Sequence, residues 1–471
     1  MLKDLLRAMR CPYCRGDFGD VLTVAGDSER VDYGLASCAC FSFPIVHGVL
    51  LLRLAADDAT PEGVLQPFTS LQAAAIRYLA RRDLGGLRAW TSEHAPLIHS
   101  LISGGYSTYV DAALAVHNSL GRHVHEALRG CAALGLLEGT PDQSPTDLRP
   151  EQIVSNPAGV PWYVARNFVP RNVVNRCELA TVPLSGRLLS ICCGHGYFEL
   201  NVSGQPAHRE IVSLDKQLVN LLILRSFVHT RANAVCYDAQ LPLPFTDGFF
   251  DGCYGSAFLH ELPSVAGVLQ ELLRVTSAGA WCIVSTVRLG GVPPIDPERH
   301  YQVCTNNVPN LQEYGRLFGS LAQGCEIRYF RHPSNWPEWD GPFAWKDLPQ
   351  RGSDCVESGS AHCSFLIRAD STIRAAAPLR LTTEDAPLVR LNPLYRIERQ
   401  SERAYTARLS EAAPSGAYAE RVAFTLPEED GPDAWDVLFR KRLVVIVPAS
   451  FPTEVCPRPA LLAKLPSRDA S

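Results

Sequence analysis

Four cysteines near the N-terminus form two close pairs. Cys11 and Cys14 belong to the motif CPYC, and Cys38 and Cys40 flank a single alanine. Two thiolate pairs on tight turns can supply the four ligands of a tetrahedral zinc site. A segment this short has a marginal hydrophobic core, so a bound metal ion would stabilise its fold. There are two alternatives. One is a redox-active CxxC pair, although such pairs more often belong to a β-α-β unit. The other is that the four cysteines are unrelated buried residues. The spacing favours structural Zn²⁺ bound by all four.

A second group of residues surrounds the stretch RLLSICCGHGYFEL, which begins at Arg187. An apolar run ends at Cys192, and Gly194 and Gly196 then let the backbone approach a ligand closely, as in dinucleotide sites. About twenty residues later, Asp215 ends a second apolar run, where an acid accepts hydrogen bonds from a ribose. This order predicts a loop that contacts a nucleotide-like cofactor.

Each of these residues also has a structural interpretation. Asp215, and Asp238 at the end of a third apolar run, are typical of helix N-caps and turns when each is taken alone. His260 and His195 are as compatible with packing or solvent exposure as with ligand contact. The complete series therefore favours a cofactor site more than any single residue does.

The elements that must position these residues follow from the hydrophobic pattern. Between 164 and 370, strand-like runs alternate with helical runs, which predicts a mostly parallel sheet with helices on both faces. Residues 1–56 read as a β-rich module and 57–163 as a helical segment. Residues 371–471 mix short strands with Pro-rich turns and contain no recognisable motif.

The ordered series over residues 186–286 resembles the class I S-adenosylmethionine-dependent methyltransferases. In that family a Gly-rich loop and an acid after the second strand precede segments similar to DAQLPLPF, FFDG and ELLRVTSAGA of this chain. The resemblance implies an α/β fold with a Rossmann-like, seven-stranded sheet, closed by an antiparallel pair at GCEIRYFRHP and AHCSFLIRA.

The first 56 residues resemble the Trm112-like zinc ribbons in the segments CPYC and CACFSFPIVHGVLLL. In that family the module is a structural or partner-binding adjunct of methyltransferases. The expected architecture is therefore a small N-terminal zinc ribbon (1–56), a helical segment (57–163), a methyltransferase domain (164–370) and a C-terminal α+β extension (371–471).

The methyltransferase resemblance also implies roles for particular residues. Asp215 would bind the ribose, Asp238 and Ala239 the adenine, and the loop glycines would lie against the methionine part. His260 would lie at the mouth of the site as the candidate base. The full cofactor-binding set is Ser190, Cys192, Gly194, Gly196, Asp215, Lys216, Asp238, Ala239 and Ser256.

Three departures from the family pattern predict a modified cofactor site. Ser190 stands where an acid usually helps to hold the cofactor's ammonium group, and Cys192 replaces the first glycine of the loop. TSAGA replaces a Pro-Gly-Gly turn. A serine still accepts a hydrogen bond but brings no charge, and a cysteine side chain narrows the loop.

The favoured function is methyl transfer from S-adenosylmethionine to a small molecule in specialised metabolism. One alternative is a protein or tRNA methyltransferase that docks through the zinc ribbon. Another is a non-catalytic scaffold with a degenerate loop. Trp336, Trp339 and Trp345 are candidates for an apolar substrate wall, with packing between domains as the alternative.

Composition restricts the remaining classes. The 471 residues are 46% apolar and 20% charged, which is typical of a globular protein, and the formal net charge of −5 argues against a broad nucleic-acid-binding face. No apolar run approaches the length of a membrane span, and we expect no membrane partner. The N-terminal residues lack a signal-peptide pattern, so we expect a cytoplasmic protein with reduced cysteines. A homodimer or a protein partner is compatible with the chain.

Overall fold

A computed structural model describes a large part of the chain, including the N-terminal module and the central domain. The described residues are 1–52, 68–116, 118–119, 171–182, 185–202, 209–259, 262, 264–289, 311–321, 326–332, 344–347, 362–368, 389–392, 395–401, 403–409, 421–425, 435, 438 and 443–446.

One mixed sheet of twelve strands runs through this part of the chain, in the spatial order β1-β2-β3-β4-β7-β6-β5-β8-β9-β12-β10-β11. Its strands are β1 Asp20–Gly26, β2 Val31–Ser37, β3 Ser42–Val46, β4 Val49–Leu51, β5 Gly186–Ile191, β6 Arg209–Asp215, β7 Asn233–Cys236, β8 Phe250–Ser256, β9 Thr276–Arg288, β10 Glu326–Arg331, β11 Lys346–Asp347 and β12 His362–Arg368.

The helices lie on both faces and at one end of this sheet. They are α1 Lys3–Ala8, α2 Phe68–Ala80, α3 Leu84–His94, α4 Pro96–Ile102, α5 Arg171–Ala180, α6 Tyr197–Val202, α7 Leu218–Ile223, α8 Val265–Val275 and α9 Leu311–Leu321; α7 continues as a π-helical turn, Leu224–Val228, and 109–116 are also helical. Among the described helices, none has the combination of length and apolar character that crossing a membrane requires.

The centre of the sheet is doubly wound. Strands β7, β6, β5, β8 and β9 are parallel, and the chain order reverses direction between β5 and β8. Strand β12 is antiparallel to both β9 and β10, which confirms the antiparallel pair expected from the sequence. In such sheets a ligand binds outside the carboxyl ends of the strands, at the point where the order reverses.

The N-terminal module is continuous with this sheet. Strand β4 pairs in parallel with β7, with Val49 opposite Ala234 and Leu51 opposite Cys236. The sheet therefore has twelve strands, where the sequence predicted a seven-stranded methyltransferase sheet beside a separate ribbon. Without β4, the four buried residues of β7 would present unpaired backbone groups at a sheet edge, which is unfavourable.

Helix α8 shows how the covering helices are anchored. Its buried residues follow the three- and four-residue spacing of a helix that packs on one face, and the Ser264 hydroxyl caps its start by accepting from the Gly267 N–H at 3.2 Å. The buried side chains join the hydrophobic cluster that also contains α1, α9 and one face of the sheet. On the opposite face, α5 and α6 cover Tyr254 and Ile283.

The C-terminal region contributes two small sheets in its described part. Strands β13 (Val389–Leu391) and β17 (Val444–Ile446) form one, and β14 (Tyr395–Arg399), β15 (Ala404–Leu409) and β16 (Arg421–Thr425) form the other. Their apolar residues share a hydrophobic cluster with the helices between 68 and 116 and with α7. The helical segment and the C-terminal strands therefore pack together.

The continuity of the sheet predicts that the N-terminal strands and the central domain unfold together. Leu50 lies on β4 and is fully buried in the same cluster as Val235 of β7. We expect Leu50→Ala to lower the free energy of unfolding by about 2–5 kcal/mol in one transition, measured by guanidinium denaturation with circular dichroism. The control Leu241→Ala, at a 40% exposed side chain, should change stability by less than about 0.5 kcal/mol. A separate early transition of the N-terminal module would contradict this expectation.

Candidate functional site

The loop after β5 carries the unusual backbone that its sequence predicts. Cys192, Gly194 and Gly196 have φ angles of 49°, 54° and 86°. A Cβ atom on Gly196 would lie 2.8 Å from Cγ of Leu224, so glycine is required there on steric grounds as well. Cys192 adopts a left-handed conformation that is unfavourable for a residue with a side chain. The loop thus keeps its shape although its first glycine is absent.

Asp215 holds this loop against the carboxyl end of β6. One of its carboxylate oxygens accepts a hydrogen bond from the Gly194 N–H at 2.8 Å, and the other accepts from the Gln217 N–H at 2.8 Å and from Asn220 Nδ2 at 3.3 Å. Burial raises the pKa of Asp215, and these hydrogen bonds oppose that shift. A carboxylate has about four acceptor positions, so Asp215 retains capacity for a ligand.

Glu199 is a buried acid beside this loop that the sequence analysis did not identify. It lies on α6, is fully buried, and its Oε1 accepts a hydrogen bond from the Ser213 hydroxyl at 2.5 Å. Ser213 is the cross-strand partner of Ser190. Burial raises the pKa of Glu199, while the Ser213 and Ser190 hydroxyls lower it. Its Oε2 has no hydrogen-bond partner in the described part of the chain, so Glu199 presents an unsatisfied acceptor next to the serine that replaces the usual acid.

The other predicted cofactor residues follow neighbouring strands. Asp238 and Ala239 come after β7, and the Asp238 carboxylate accepts from the Gln240 N–H at 3.0 Å in a tight turn. Lys216 follows β6, and its carbonyl accepts from the Cys236 thiol at 3.5 Å. Ser256 ends β8. The structure therefore brings the predicted set to one edge of the sheet, at the carboxyl ends of the parallel strands.

Helical residues 109–116 contact the loop directly. The Tyr109 hydroxyl lies 3.0 Å from Nδ1 of His195, and the two rings pack edge to face. Both side chains are buried. This contact connects the helical segment, whose role the sequence left open, to the loop between β5 and α6.

Several predicted site residues fall elsewhere. His260, Trp336 and Trp339 lie outside the described residues. The Trp345 indole donates a hydrogen bond to the Thr181 hydroxyl at 2.9 Å and packs against the cluster beneath α5 and α6. These contacts of Trp345 are with residues of the central domain, and they do not test the alternative of packing between domains.

The four N-terminal cysteines converge. Their sulfur atoms all lie within 4.8 Å of one another. The distance from Cys11 Sγ to Cys40 Sγ is 3.6 Å, and that from Cys38 Sγ to Cys40 Sγ is 3.3 Å. Four thiolates at about 2.3 Å from a tetrahedral zinc ion would be about 3.8 Å apart. The donor set and its dimensions fit zinc.

Comparison with known proteins defines the class of the central domain. Residues 189–284 match the family model described as "Methyltransferase domain". This segment includes the Gly-rich loop, Asp215, Asp238 and strands β6 to β8. The central part of the chain is therefore a methyltransferase domain.

Among curated proteins, the chain is similar to the 2-phytyl-1,4-naphtoquinone methyltransferase of Synechococcus elongatus and to that of a second Synechococcus strain. Each is 25% identical over 157 residues, which is 30% of this chain and 60% of the relative. The match thus spans less than two thirds of the relatives' length.

Solved structures include more distant neighbours. A SAM-dependent methyltransferase of Thermotoga maritima is 17% identical with a TM-score of 0.32, covering 44% of this chain and 93% of its own. A chain from the complex of the Haloferax volcanii Trm112 methyltransferase activator with a methyltransferase is 13% identical with a TM-score of 0.35, covering 45% and 93%.

The steric requirement for glycine at position 196 can be tested against a matched control glycine. Gly196 and Gly279 both have positive φ, but a Cβ atom on Gly279 meets no atom within 4 Å. Gly279→Ala therefore carries only the backbone penalty, whereas Gly196→Ala also forces contact with Leu224. We expect Gly196→Ala to be less stable than Gly279→Ala by about 1–3 kcal/mol in thermal or chemical unfolding. An equal loss of stability in the two variants would contradict this expectation, because it would mean that the Leu224 side chain moves aside without destabilising the fold.

Proposed function

We propose that this protein is an S-adenosylmethionine-dependent methyltransferase that acts on a small-molecule acceptor. The observation that carries the proposal is that the methyltransferase-domain match coincides with the carboxyl edge where the strand order reverses. Ligands of doubly wound sheets bind at that edge.

The residues at this edge fit the polar groups of the cofactor. S-adenosylmethionine, when bound, supplies an electrophilic methyl group on a sulfonium. Asp215 binds the ribose hydroxyls while it keeps the Gly194 amide in place, and Asp238 with Ala239 holds the adenine. Ser256, Lys216 and the loop backbone complete the set.

Glu199 holds the cofactor's ammonium group in place of the missing strand acid. Ser190 contributes no charge, but the carboxylate of Glu199 lies against its partner Ser213, and Oε2 has no hydrogen bond. A buried carboxylate oxygen without a partner is costly, and an ammonium donor removes that cost. This compensation supports cofactor binding over the scaffold alternative.

A small molecule is the favoured acceptor. The curated relatives are named for a naphthoquinone substrate, and the net charge of −5 gives no general attraction for RNA. A protein or tRNA acceptor that docks on the N-terminal module is the alternative. His260, the candidate base of the sequence analysis, lies outside the described residues.

The four N-terminal cysteines bind one structural Zn²⁺ in this proposal. The support is the convergence of their sulfur atoms within 4.8 Å of one another. Because strands β2 to β4 connect these turns to the central sheet, the metal stabilises the edge next to β7 as well as the turns themselves.

We expect purified protein to contain one zinc ion per chain by elemental analysis, and Cys11→Ser to lose it. The control Cys253→Ser changes a buried cysteine outside the group. Its new hydroxyl can replace the thiol as the partner of the Thr276 hydroxyl, which lies 3.0 Å from the Cys253 sulfur. This control should retain zinc. Zinc retained in Cys11→Ser, or absent from the wild type, would contradict the assignment.

Cofactor binding is tested by calorimetry with S-adenosylmethionine and S-adenosylhomocysteine. Removing one charged partner of a buried hydrogen bond costs about 1.5–3 kcal/mol, so Glu199→Gln and Asp215→Asn should each weaken binding by about 10- to 100-fold. Glu210→Gln is the control, because Glu210 lies at the amino end of β6 and pairs with Arg187 at 2.8 Å.

Equal affinities for wild type and Glu199→Gln would exclude Glu199 as the ammonium ligand. A folded, zinc-loaded wild type that binds neither compound would reject the methyltransferase proposal and favour the scaffold alternative.

A further inference from the structure

A second buried polar cluster lies on the sheet face that α5 covers. Glu178 of α5 lies over Ser285 of β9 and Ser364 of β12, and His332 follows the last residue of β10. Because β12 runs antiparallel to its neighbours, its first residues lie at the carboxyl ends of β9 and β10. This second cluster therefore shares the edge of the sheet that carries the candidate cofactor site.

Hydroxyl groups and one imidazole connect the cluster. Nε2 of His332 lies 2.8 Å from the Ser364 hydroxyl and 4.0 Å from Oε1 of Glu178. The Ser285 hydroxyl lies 3.3 Å from that of Ser364 and donates to Oδ1 of Asn175 at 2.9 Å. Side chains from β9, from β12 and from the residue after β10 thus lie beside one carboxyl group.

Glu178 is incompletely satisfied in this network. Its side chain is fully buried, and among the described residues neither carboxylate oxygen has a hydrogen-bond partner of regular geometry. Burial raises the pKa of Glu178 to about 8, although the hydroxyls of Ser364 and Ser285 lower it. Nδ2 of Asn175 and the Tyr254 hydroxyl also lack hydrogen-bond partners within the ranges that the structure describes. Unsatisfied buried groups of this kind are rare in proteins, and strain, a catalytic role, or a bound water or ion accounts for them.

The backbone around the cluster is strained. Thr286 on β9 and Ala257 after β8 have φ angles of 53° and 56°, and a left-handed β-branched residue is an outlier. The register between β12 and β9 shifts between Cys363 and Phe365, which places Ser364 at an irregularity. Its hydroxyl accepts from the Thr286 N–H at 3.1 Å. Such strain and bulges concentrate at functional sites.

We propose that Glu178 is the proton acceptor for a hydroxyl group of the methyl acceptor. This inference rests on the proposed methyltransferase function. The hydroxyls of Ser285 and Ser364 lie beside the carboxyl group and lower its pKa, and His332 is a positioning residue that acts through Ser364.

Glu178 must be ionised before methyl transfer, because it accepts the proton of the acceptor hydroxyl. The acceptor hydroxyl gives its proton to Glu178 while its oxygen forms a bond to the methyl carbon, and the electron pair of the broken carbon–sulfur bond remains on sulfur. The positive sulfonium favours the ionised carboxylate before transfer, and the neutral thioether product favours the protonated form afterwards. Because burial raises the pKa of Glu178 to about 8, its carboxyl group can be ionised before methyl transfer and protonated after it.

This coupling can be measured without knowing the acceptor. A nearby positive charge lowers the pKa of a carboxyl group, so S-adenosylmethionine should release a proton from Glu178 on binding, whereas neutral-sulfur S-adenosylhomocysteine should not. Calorimetry in buffers of different ionisation enthalpy near pH 7.5 should give a difference of about 0.5 proton or more between the two compounds. Both compounds carry the ammonium group, so any proton that this group displaces from Glu199 is common to both and cancels.

Glu178→Gln should abolish the difference while both compounds still bind. Glu271→Gln is the matched control on α8, where the acid pairs with Arg274 at 2.7 Å and its pKa is lowered, so that it holds no proton at this pH. This control should retain the wild-type difference. The described titratable groups that interact with Glu178 are His332, Tyr254 and Cys363.

Ser364→Ala is the second variant should Glu178→Gln fail to fold. It keeps the carboxyl group but removes a hydroxyl that lowers its pKa, so the proton difference should move to higher pH. Binding of both compounds with no difference, or a difference that persists in Glu178→Gln, would overturn the role of Glu178 and leave the methyltransferase proposal intact. Failure of both compounds to bind would overturn the proposed function itself, and the role of Glu178 with it.

Discussion

The hydrogen bond between the Asp215 carboxylate and the Gly194 amide connects the two strands on which the site depends. It joins the end of β6 to the loop after β5 at a length of 2.8 Å. Because Asp215 is buried, its charge is stable only with several donors around it. The left-handed glycines provide one of those donors by turning the loop amide toward the acid. Loop shape and acid position therefore depend on each other.

The same physical constraint governs the two buried glutamates. Glu199 and Glu178 both lie under helices on one face of the sheet, where desolvation penalises their ionised forms. Serine hydroxyls from the sheet offset part of that penalty in each case. The remaining unsatisfied oxygens are tolerated in a folded protein when a ligand completes them. The two acids thus divide the edge into a cofactor part and an acceptor part in the proposed function.

The N-terminal module extends this architecture. Its strand β4 pairs with β7, so the cysteine group and the cofactor edge belong to one continuous sheet. Arg30 adds a buried connection, since its guanidinium donates to the Arg231 carbonyl at 2.7 Å. A ribbon attached in this way stabilises the edge strand of the central domain. That arrangement gives the zinc proposal a structural purpose without requiring a separate partner.

The sequence by itself determined the local features: the glycine loop, the acids that end successive strands and the cysteine spacing. These features depend on the conformational preferences of single residues and on the spacing of residues a few positions apart. Only the tertiary structure decided that β4 pairs with β7, and that Glu199 and Glu178 face serines from distant strands. Such contacts join residues far apart in the chain, and a glutamate in a short helix looks the same in sequence whether water or a buried sheet lies beside it.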